Sequence, residues 1–69
     1  MARDVVRKFI RYTDATGHQV DMPLPARRVF SATMALMRSA FDSVHVVIER
    51  SDDKRIFVHS IDDEHVFGS

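Results

Sequence analysis

Sixty-nine residues are enough for one domain and no second core, and ten basic against ten acidic side chains leave no net charge. The chain has no cysteine, which excludes disulfides and thiolate metal centres. No apolar run approaches the roughly 20 residues that a membrane-spanning helix needs.

Taken from the beginning, Met1-Ala2-Arg3-Asp4 is charged and lacks the apolar run of a signal peptide. A cytoplasmic location is the expectation. Residues 5–13 then alternate with period two and are rich in β-formers, which predicts a strand. Asp14-Ala15-Thr16-Gly17 has the chemistry of a three-residue hairpin loop with Gly17 in the left-handed position. Setting Asp14 opposite His18 pairs Tyr12 with Val20, Ile10 with Met22, and Arg11 with Asp21. Apolar and charged partners are then matched in one register, with the second strand at about 18–22. Proline cannot donate to a ladder, so Pro23 and Pro25 end this strand, and Pro25 also suits a helix start.

From about 25 to 42 the period becomes 3.6. Val29, Phe30, Thr33, Met34, Leu36, Met37, Ala40 and Phe41 share an arc of roughly 160°. That width predicts a helix covered on more than one flank, by its sheet and by a partner. Strands follow at about 44–50 and 55–61. Pairing Ile48 with Ile56 and Val46 with Val58 puts those four in the core. The same register sets His45 opposite His59 on the outer face, beside Phe57. Residues 62–69 form an acidic tail that contains Val66 and Phe67. The expected fold is therefore α+β: a ββαββ two-layer domain, its four-stranded, mostly antiparallel sheet carrying one amphipathic helix on one face.

Catalytic equipment is missing from this pattern. There is no G-x-S-x-G elbow, no glycine-rich phosphate loop and no recognised metal-ligand spacing. His45, His59 and His65 are the weak metal candidates, for which surface imidazoles are the simpler explanation. A non-enzymatic chain without cofactor, small-molecule substrate or membrane partner is expected. The open sheet face carries Phe9, Arg11, Val47 and Phe57, and these with Val66 and Phe67 are the candidate contacts for another protein. A small domain without disulfides is also expected to gain stability as a homodimer. The alternative is nucleic-acid binding through Arg7, Arg27, Arg28 and Arg38.

Charge is uneven: residues 1–41 hold seven basic and three acidic side chains, and residues 42–69 the reverse. Such asymmetry can steer a partner or dock one copy on another. The hairpin–helix–hairpin plan with its alanine-rich middle helix resembles compact stand-alone proteins of bacteriophages and plasmids that inhibit a host machine. That resemblance implies an inhibitor or adaptor role. It rests on size and topology and assigns no residue a function.

Overall fold

The computed structural model describes residues 4–68. Five main elements follow in the order β1 (Val5–Thr13), β2 (Gln19–Pro23), α1 (Arg27–Ala40), β3 (Asp42–Ser51) and β4 (Ile56–Ile61), with a 3₁₀ turn at Asp63–His65. The four strands form one antiparallel sheet in the order β2-β1-β3-β4. This is the ββαββ, α+β architecture expected from the sequence.

The first hairpin has the expected register, with Tyr12 opposite Val20, Arg11 opposite Asp21 and Ile10 opposite Met22. Its loop shows why. Gly17 takes φ +87°, and the Asp14 carboxylate accepts from the backbone N–H groups of Thr16 and His18 at 2.9 Å and from the Thr16 hydroxyl at 2.7 Å. A short acidic side chain and one left-handed residue thus close the turn locally.

The helix starts after Pro25 and stops within one residue of β3. Phe41 is already extended, and Ser43 turns the chain with φ +56°. Here β3 places Ser43 and Val44 against Tyr12 alone, between the pairs Arg11–His45 and Thr13–Asp42. This is a β-bulge, and it lets the strand run on without a connecting loop. Phe41 packs on Tyr12, with ring centroids 4.4 Å apart.

The core lies between the helix and the two central strands. Ile10 and Val46 are fully enclosed opposite one another, and Phe30 and Met34 descend on them from α1. The fifth member is Val66, 1% exposed. The tail was expected to offer Val66 and Phe67 to a partner. Instead it folds back onto the core, and Phe67 meets Phe30 edge-on at 5.2 Å. Two polar contacts hold it there: Lys8 Nζ donates to the Val66 carbonyl at 2.8 Å, and Arg38 forks onto Asp63 at 2.7 and 3.0 Å.

The second hairpin departs from expectation. Val46 faces Ile61, Ile48 faces His59, Glu49 faces Val58 and Ser51 faces Ile56. The offset from the predicted pairing is three residues, an odd number, so every side chain of β4 changes face. Phe57 lies on the helix side, Val58 and Ile56 lie on the open side, and His45 does not oppose His59. The cause is the turn: the Asp52 carboxylate accepts from the N–H groups of Lys54 and Arg55, both at 2.8 Å, while the Asp52 N–H donates to the Arg55 carbonyl at 3.0 Å. The reversal is therefore closed by Asp52 and Arg55.

Replacing Val66 by Ala should cost about 2 kcal/mol in denaturant unfolding, from lost transfer energy and the cavity left behind. At the bulge, Ser43→Val should cost about 1–2 kcal/mol because a branched residue resists positive φ, whereas Ser43→Gly should cost nothing. Equal losses for both Ser43 variants would show that φ is not the constraint there.

Candidate interaction surface

The open face of the sheet has a small apolar centre under a polar frame. Phe9 and Val47 are direct cross-strand neighbours, and they are only 6% and 2% exposed although no helix covers them. Arginines shield them instead. The guanidinium carbons of Arg7 and Arg11 stand 5.6 and 5.5 Å from the Phe9 ring centre. Arg7 is in turn held by Glu49 at 3.3 Å, and Arg11 by Asp21 at 2.9 Å. Phe9, Val47 and Arg11 thus form a second, shallow core and do not present a free apolar patch. Phe57, expected on this face with Phe9, is on the other side of the sheet.

Large exposed apolar side chains gather elsewhere. Those above about two-fifths exposure, or close to it, are Val5, Val6, Ile56, Phe57 and Val58, together with Val29 and Leu36 on the helix. The first five occupy one end of the sheet, where β1 begins and β4 begins. Both faces of this end are bare: Val5, Ile56 and Val58 on the open side, Val6 and Phe57 on the helix side. Arg55 lies over Phe57 at 5.8 Å. Sequence reading missed Val6, Ile56 and Val58 as surface residues. The Asp52 turn was the signal that would have placed the last two outside.

Beside this end, β2 stops at Pro23 while β1 continues to Val5. The step leaves a cleft of about 420 Å³ lined by Arg7, Lys8, Phe9, Asp21, Met22 and Pro23. Its charged groups are engaged, Arg7 with Glu49, Asp21 with Arg11 and Lys8 with the Val66 carbonyl, and it contains no nucleophile with a neighbouring base.

The four arginines considered for nucleic acid do not make one surface. Arg7 is on the open sheet face with Glu49, and Arg38 is clamped by Asp63 on the helix layer. Arg27 and Arg28 are exposed in the first helical turn, which holds no acidic residue, so their charge opposes the positive end of the helix dipole. The three imidazoles are also dispersed. His45 is on the open face with its Nδ1 2.7 Å from the Ser43 carbonyl, His59 is on the helix side, and His65 neighbours Asp62 at 3.7 Å. Among the described residues, no group of three His, Cys, Asp or Glu side chains could hold a metal ion. No helix among them is long and apolar enough to cross a membrane.

No family, no curated protein and no solved structure matches the chain.

Four carboxyl groups on this framework are held below their ordinary range. Asp14 is lowered first by the Thr16 hydroxyl, Asp21 by Arg11, Asp52 by the N–H groups of Lys54 and Arg55, and Asp63 by Arg38. The folded chain therefore binds protons less readily than the unfolded one. Their stabilisation is complete above the ordinary aspartate value of 3.8 and is lost as pH falls through the lowered values. Urea midpoints should fall on acidification from about pH 5 to about pH 2, and Asp21→Asn with Asp63→Asn should flatten that profile. A double variant with an unchanged slope would remove these two ion pairs from the account.

Proposed function

We propose that this protein is a protein–protein interaction module that works as a homodimer. The observation that carries the reading is the bare apolar end of the sheet, where Val5, Val6, Ile56, Phe57 and Val58 are between 39% and 68% exposed. Single exposed apolar residues are ordinary, but a contiguous group on both faces of one sheet end is a contact surface. A short chain without disulfides has most to gain from covering it. Binding is favoured over catalysis because the cleft beside Pro23 lacks a reactive constellation. An inhibitor or adaptor role, of the phage or plasmid kind, is compatible with such a surface, as is a cytoplasmic setting.

Nucleic-acid binding is the second reading, and the exposed Arg27–Arg28 pair is what favours it. Retention on heparin that falls steeply with salt and disappears in Arg27→Glu/Arg28→Glu would support it.

The interaction reading is tested by sedimentation of the purified chain over a range of concentrations. Wild type should approach twice the chain mass of 7.9 kDa, and Phe57→Asp should shift the equilibrium to monomer while far-ultraviolet circular dichroism stays unchanged. Because Phe9 is buried, Phe9→Asp should instead unfold the chain. Dimer formation that survives Phe57→Asp together with Ile56→Asp would overturn the assignment of this surface.

A further inference from the structure

The two edges of the sheet are built differently. β2 is five residues long, ends in Pro23 and carries Asp21 clamped by Arg11. These are features that block strand addition. β4 has none of them. Its six residues, Ile56-Phe57-Val58-His59-Ser60-Ile61, include no Lys, Arg, Asp, Glu or Pro, and all but Ile61 are exposed. An unprotected edge of this kind pairs with another strand.

Charge at the ends of β4 identifies the strand that fits. Lys54 and Arg55 immediately precede it, beyond the turn residues Asp52 and Asp53, and Asp62, Asp63 and Glu64 follow it. A strand laid antiparallel with the same charge order brings the basic end of each against the acidic end of the other. A parallel arrangement of the same two strands would set like charges together. A second copy of this chain supplies that order by identity.

We propose that two copies join through antiparallel β4–β4 pairing about a twofold axis, making one continuous eight-stranded sheet. This deepens the homodimer reading and rests on it. The axis stands perpendicular to the sheet, so each residue meets one on the same face, and one residue meets its own counterpart. Centring on Val58 or on His59 keeps the whole strand paired. In the first case Lys54 reaches Asp62 of the copy. In the second, Phe57 meets Ile61 of the copy on the helix side. Either register covers Ile56, Phe57 and Val58 from the side.

The absence of cysteine makes the test clean, because one introduced thiol is the only thiol. Directly opposed strand residues have Cα separations of about 4.5–5.5 Å, inside the range a disulfide bridges. Single variants Val58→Cys and His59→Cys, with Leu36→Cys on the exposed helix flank as the comparison, are oxidised mildly in the full chain. Non-reducing electrophoresis should show covalent dimer for Val58→Cys or His59→Cys and only background for Leu36→Cys. Separately, when the axis passes through Val58, Lys54→Glu should raise the dissociation constant about tenfold or more, and adding Asp62→Lys should recover part of that loss. If wild type sediments as a dimer but neither strand thiol cross-links, the β4 assignment is overturned and the dimer reading stands. A wild type that remains monomeric overturns both.

Discussion

Fourteen helical residues reach about 21 Å, while the ten-residue strand beside them reaches about 33 Å. That mismatch governs the rest of the molecule. One helix of that length cannot cover even one face of the sheet from end to end, and everything outside its footprint must be satisfied by other means. The fold uses three. On the open face, Arg7 and Arg11 lie over Phe9 and are fixed by Glu49 and Asp21, so charged side chains serve as the lid of an apolar centre. On the helix side, the tail brings Val66 and Phe67 into space the helix leaves empty. At the far end of the sheet only Arg55 stands over Phe57, and Val5, Val6, Ile56 and Val58 stay exposed.

What could be read from residues alone follows from how local each determinant is. The first hairpin was legible because its determinants are local: Asp14 and Gly17 close the loop, and Arg11 and Asp21 confirm the pairing within ten positions. The helix was legible as an element from its period. Its coverage was not: Val29 and Leu36, seven positions apart, share one flank of the apolar arc and stay exposed while Phe30 and Met34 are buried, and the period alone does not say which flank meets the sheet. At β4 the pattern itself is ambiguous. Ile56, Phe57 and Val58 are consecutive and all apolar, so alternation cannot choose a face, and the choice falls to a carboxylate–backbone turn at Asp52.

The candidate surface shifted for the same reasons. Phe9 and Val47 looked available because nothing in their neighbourhood along the chain announces that Arg7 and Arg11 will fold over them. Val66 and Phe67 looked available because an acidic run precedes them, and their burial depends on contacts with β1 and α1 that no local rule supplies. What remained exposed was the segment whose register was least determined. Residues 56–58 thus matter to the surface and resist prediction for one reason, which is that their side chains suit either face.

Lys8 and the Val66 carbonyl it holds are 58 positions apart. Synthesis delivers β1 well before this cap. During that interval Ile10 has no complete enclosure, because the layer above it is finished only when Val66 arrives. Local structure, the hairpin and the helix, can form early, but closure of the core is a late, long-range event. For a nascent chain, the vulnerable period therefore spans the translation of at least those 58 positions.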